Sequence, residues 1–150
     1  MLDAEYVLRF LMLKDKLANF SGNYSAEMDT FMRVNQAVSQ ARAQDIVGEF
    51  DMAIGRCGEI WGDNAFQRPE GQSWRDQMLA GLYDAQMISV HALSDDDYSK
   101  ATSNKAAVIS NTRELFKDDE FDKSVRTGTN TPARVRYRVD KMLGALLEFN

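Results

Sequence analysis

Cysteine is almost missing from this chain. Cys57 is the only one in 150 residues, which excludes an internal disulfide and any zinc site built from several cysteines and fits a reducing compartment. Proline occurs twice, at Pro69 and Pro132, so long helices are permitted. No stretch approaches the roughly 18 to 20 apolar residues that a bilayer-crossing helix needs. The start, Met1, Leu2, Asp3, lacks the basic region of a secretory signal; the expectation is a chain neither exported nor membrane-embedded, with cytoplasm as its default location. Excess positive charge is lacking too. A formal net charge of -5 argues against a uniformly basic nucleic-acid binder, although charge is free to be unevenly distributed. There is no glycine-rich phosphate loop, no G-x-S-x-G and no H-E-x-x-H, and no internal repeat or low-complexity segment.

What is present reads as helix. The length fits one domain, 1–150, able to bury about 70% of the surface its unfolded form exposes. From Ala4 to Leu13 eight of ten residues are apolar and the exceptions, Glu5 and Arg9, stand four apart. A helix apolar nearly all round belongs at the centre of a fold, and Glu5 preceding Arg9 by four is the orientation that favours an ion pair along a helix. Asp3 is the expected N-cap, with the helix running to about Ala18. Ser25 is the expected cap of a second helix carrying Met28, Phe31, Met32 and Val38 on one face. The start of the third is open within Ser39 to Asp45. Its body has the clearest pattern of the chain: Ile46, Val47, Phe50, Ala53, Ile54, Cys57, Ile60 and Trp61 share one helical face. Interior Gly48, Gly55 and Gly58 each cost about 1 kcal/mol against alanine and point to close helix contact.

Asp63 to Gln72 reads as a loop anchored by Phe66. Ser73, with Asp76 three residues on, resembles a capping box opening a fourth helix from Trp74 to about Leu93, apolar over more than half its circumference and the second central helix. Asp95, Asp96 and Asp97 favour a surface turn or a helix start. A fifth helix is expected around Asn104 to Lys117, then a short helical turn from Asp119 to Arg126, the loop TGTN, and a last helix capped by Thr131 with Pro132 at its first position. No alternating run bounded by hairpin turns stands out. The fold class expected is all-α: a bundle of about six helices around two central apolar ones.

Residues that carry chemistry are few. His91 lies seven after Asp84, on one helical face but roughly 10 Å along the axis, too far for a direct dyad; without a third group from another element the pair reads as part of a polar stripe with Gln77. Cys57 sits in an apolar series, where a thiol is unreactive. The carboxylates Asp95, Asp96, Asp97 and Asp118, Asp119, Glu120 match no calcium loop and read as solvated helix starts. The eight methionines follow the apolar faces and read as core filling. One region departs from the acidic average: Lys123, Arg126, Arg134, Arg136, Arg138 and Lys141 stand against Asp140 alone, with Arg134, Arg138 and Lys141 on one helical face. A phosphate backbone or an acidic partner surface fits there; so does a solvated face opposite the leucine stripe.

Four segments carry a family resemblance. LDAEYVLRFLMLKDK resembles the D-x-E-x-V-L-R-F opening of the helical half of the domain-of-unknown-function two-six-two proteins, the GmrSD-type modification-dependent restriction endonucleases of phage defence. ELFKDDEFDKSVRTGTNTPARVRYRVDKML, Glu114 to Leu143, is similar to that family's closing pattern, a D-x-x-F turn and an S-G-T loop before a basic last helix. IWGDNAF and LYDAQMISV look like the central segments. The resemblance spans nearly the whole chain and implies the helical C-terminal half of a larger restriction-type protein. The nucleotidase and nuclease chemistry of full-length members lies in a preceding ParB- or sulfiredoxin-like domain with a DGQQR-type motif, and some members add an HNH-type domain; none of those strings occurs here. The implied role is an accessory domain without catalytic residues, cofactor or metal of its own, with nucleotide and divalent metal belonging to the absent domain. DNA or a partner nuclease subunit is the implied contact of the basic helix, and Glu5 with Arg9 the implied structural pair. The alternative is a free-standing module that binds nucleic acid or protein through Arg126, Arg134, Arg136, Arg138 and Lys141.

Overall fold

The computed structural model describes residues 2–149. Its chain order is α1 (Leu2–Lys16), α2 (Tyr24–Val34), α3 (Gln40–Trp61), β1 (Gln67–Glu70), β2 (Ser73–Met78), α4 (Ala80–Ala92), α5 (Asp95–Ser103), α6 (Lys105–Leu115), α7 (Asp119–Arg126) and α8 (Pro132–Leu147). Short 3-10 turns follow α1 and α3. The chain is thus mostly helical, as expected, but with eight α-helices among the described residues rather than six, and with a two-stranded antiparallel sheet.

The helix starts follow local chemistry. Asn23, not Ser25, caps α2 by accepting from the Ala26 amide, and Ser39 caps α3 by accepting from Arg42. Ser94 and Asp118 do the same for α5 and α7, so both acidic runs are helix starts, where carboxylates meet the positive end of the dipole. Pro132 opens α8 behind Thr131, although the Thr131 side chain makes no capping bond. Leu2 already lies in α1, so Asp3 is inside the helix rather than its cap.

Helix α4 is the centre. Its residues from Gly81 through Val90 are all buried, with α8 and α3 as the most extensive neighbours and α1 and α7 also against it. Gly81 is what admits α7: a Cβ there would stand 2.6 Å from the Val125 carbonyl oxygen and 2.7 Å from its Cα. Close helix contact was expected instead at Gly48, Gly55 and Gly58, but nothing lies within 4 Å of a Cβ at any of them. They face outward on α3.

The segment from Ser73 to Met78 is strand, not the first turns of the fourth helix, and Ser73 with Asp76 forms no capping box. Glu70 pairs with Ser73 and Pro69 with Trp74 across a turn in which Gly71 takes a φ of +59°. β2 is exposed except at Trp74 and β1 is no more than half-buried, so the ribbon's sequence carries no alternation. Tertiary contact holds it instead: Arg113 of α6 donates to the carbonyls of Gly71, Gln72 and Ser73 and lies over the Trp74 ring. Phe66, the expected loop anchor, sits at the base of the ribbon with a φ of +66°, its amide bonded to Gln86 Oε1 and its ring edge-on to Tyr83.

Candidate functional site

A run of ten buried residues that includes Asp84, Gln86 and Ser89 obliges each polar side chain to find a partner. Ser89 donates to the Val139 carbonyl, and Gln86 accepts from Phe66. Asp84 collects more. Arg9 of α1 grips its carboxylate through Nε and Nη2, at 2.6 and 2.7 Å. Arg138 of α8 donates Nη2 to the same group at 2.5 Å, and the Tyr24 hydroxyl donates to it at 2.7 Å. Four helices, α1, α2, α4 and α8, meet on one carboxylate.

Around that centre Arg138 spends Nη1 on backbone. Arg138 Nη1 bonds the Ser124 and Thr129 carbonyls at 2.7 and 2.8 Å, and Nη2 also reaches the Tyr24 hydroxyl at 2.9 Å. The Arg9 guanidinium lies 3.6 Å from the centre of the Tyr24 ring, a cation over a π face. Burial by itself lowers the Arg9 pKa, but the hydrogen bond and charge of Asp84 outweigh it and raise it. Burial pushes the Tyr24 phenol well above its ordinary value, so it stays a neutral donor. Two guanidinium groups face one carboxylate, leaving one positive charge uncompensated by any anionic side chain of the cluster. Arg138 Nε has no hydrogen-bond partner.

This arrangement overturns two expectations. Glu5 is exposed and Arg9 pairs with Asp84, so the charged pair runs between helices rather than along one. Arg138 is fully buried, not a member of an exposed stripe. The other basic residues are dispersed as well. Arg126 is bound to Asp122, which also accepts from Arg68; Arg134 donates to the Thr127 carbonyl at 2.8 Å; Lys141 lies over the Tyr137 ring. Arg136 is half-buried on the flank of α8.

Asp84 and His91 are not brought together. His91 lies at the rim beside Glu49, 3.7 Å away, which also pairs with Lys14 at 2.7 Å, and its ring meets Phe10 edge-on. Burial, then the Lys14 charge, lowers the His91 pKa. Cys57 is core, 3.8 Å from the Met87 sulfur, with its thiol pushed up by burial. Asp95 pairs with Arg56, whose other donors reach the Val90 and Leu93 carbonyls at the end of α4. Among the described residues no group of three or more His, Cys, Asp or Glu is placed to hold a metal ion, and no helix is long and apolar enough to cross a membrane.

Sequence reading missed Tyr24 and Arg56 altogether and assigned Asp84 to a polar stripe. One signal was available: an aspartate inside LYDAQMISV, an otherwise apolar helix, demands cations from elsewhere. Together these features define a helical bundle organised on a buried, doubly paired carboxylate. No family model, no curated protein and no solved structure matches the chain.

Proposed function

We propose that this chain is a helical accessory module, without turnover of its own, of the kind found in the C-terminal half of GmrSD-type modification-dependent restriction proteins, and that it serves a nucleotidase or nuclease domain carried on another segment or subunit. The observation that carries this reading is where the charged residues of the resembling segments go. Arg9 from the opening motif, Asp84 from LYDAQMISV and Arg138 from the closing helix share one ion cluster. Buried charges tied this way hold one another and are costly to separate, which supports a structural role for them. Tyr24, the fourth member, keeps its proton. Partner contact falls to the surface, where Met32, Val34, Val38, Val47 and Met52 of α2, α3 and their connection stand exposed.

The experiment is a turnover assay with nucleoside triphosphates and with modified duplex DNA. No hydrolysis is expected from this chain. Reproducible hydrolysis abolished by a single substitution overturns the reading.

A further inference from the structure

Among the described residues, α2 is the one helix with no buried residue. Its extensive neighbour is α1, and both side-chain hydrogen bonds joining it to the rest of the bundle run through one atom, the Tyr24 hydroxyl oxygen. Beneath its second half a groove of about 280 Å³ stays open between Phe31 and Val34 on α2 and Met12 and Lys16 on α1. Just before it the chain is fixed: Gly22 has a φ of +92°, and a Cβ there would stand 3.0 Å from the Asn130 carbonyl oxygen and 3.2 Å from the Pro132 ring. The helix is thus hinged at one end and latched at Tyr24, with Met28 and Phe31 packed against the core but neither fully buried.

What the latch covers is the charge surplus. Arg9 and Arg138 face Asp84 alone, and Arg138 Nε lacks a partner. A neutral phenol does not compensate a buried guanidinium; a phosphate monoanion in its place does, one oxygen accepting from the Arg138 Nη2 donor that Tyr24 releases while its P–OH donates to Asp84 Oδ2 as the phenol did. We infer that α2 is a strap that undocks from α1 as one unit, and that the recess it closes accepts a phosphate-type oxyanion between Arg9 and Arg138. A free phosphate and a phosphorylated side chain of a partner present the same chemistry.

Hydrogen–deuterium exchange on the full chain tests this, run in sodium chloride, in inorganic phosphate and with a phosphoserine peptide, all at one ionic strength. Local opening releases α2 amides about tenfold or more faster than those of α4 and α8. Tyr24→Phe, which keeps the ring and removes the latch, adds about another tenfold confined to α2, the equivalent of one hydrogen bond. An anion that binds the open form raises α2 exchange further: a response to inorganic phosphate assigns a small-anion recess, and a response to the peptide alone assigns a phosphorylated partner. Exchange of α2 in step with α4 and α8 overturns the inference, and so do equal α2 rates in chloride, phosphate and peptide.

Discussion

Arg138 of α8 and Asp84 of α4 form an ion pair in which neither side chain has any exposure to solvent. They are 54 positions apart in the chain, and each sits in a helix whose other inward residues are mostly apolar. A buried pair of this kind is costly to assemble and more costly to break from one side.

Arg138→Met therefore destabilises the protein by about 1 to 3 kcal/mol: Arg9 still balances Asp84, but the buried Ser124 and Thr129 carbonyls lose their donor. Arg136→Met, two residues away on the half-buried flank, stays within about 0.5 kcal/mol. Urea denaturation followed by circular dichroism compares them. Equal small effects would return Arg138 to the surface stripe.

The glycines invert the expectation drawn from the pattern. Gly81→Ala forces a Cβ into the Val125 backbone and should cost about 1 to 3 kcal/mol, since neither backbone has a side chain to move aside. Gly55→Ala, in open space on α3, should stabilise by about 0.5 to 1 kcal/mol through helix propensity. Thermal melts of the two variants moving in opposite directions is the expected outcome; a shared direction contradicts the packing described.

His91 gives a pH dependence whose sign is fixed. Its folded-state pKa lies below the ordinary value of 6.5, from burial first and the Lys14 charge second, with Glu49 and Asp15 pulling the other way. The unfolded chain therefore takes up the proton first, and stability falls as pH drops below about 6.5. Replacing His91 with Gln should flatten the slope of unfolding free energy against pH in that window. Glu49, held below the usual carboxylate range by Lys14, His91 and Arg42 against the opposing effect of its own burial, loses its contribution only at lower pH. An unchanged slope between pH 5 and 7, about the range where histidine titrates, counts against this environment for the ring.

Cys57 should behave as a core residue. In the native protein a disulfide thiol reagent should react at a rate set by unfolding, because the side chain is fully buried and its thiol pKa is raised. Rapid stoichiometric labelling without denaturant would exclude the buried placement.

The faces of α3 and α8, apart from Val47 and Leu147, which stand exposed, the proline start of the last helix and the acidic helix starts were legible, since helical periodicity and caps depend on neighbours within four positions. The hairpin was not, because Ser73 to Met78 has charged residues on an open ribbon and is held by Arg113 from 40 positions away. Nor was the ion cluster: spacings of four and three say that Arg134, Arg138 and Lys141 share a side of a helix, not which part of that side meets α4.

By itself, then, the sequence determined that this protein is built mostly of helices, where the later ones, α5 to α8, begin, and where several turn their apolar sides. Only the tertiary structure decided which charges go inside. Arg9, Asp84 and Arg138 find one another across separations of 54 and 75 residues, and the stability of a buried charge is a property of its partners in space rather than of its neighbours in the chain.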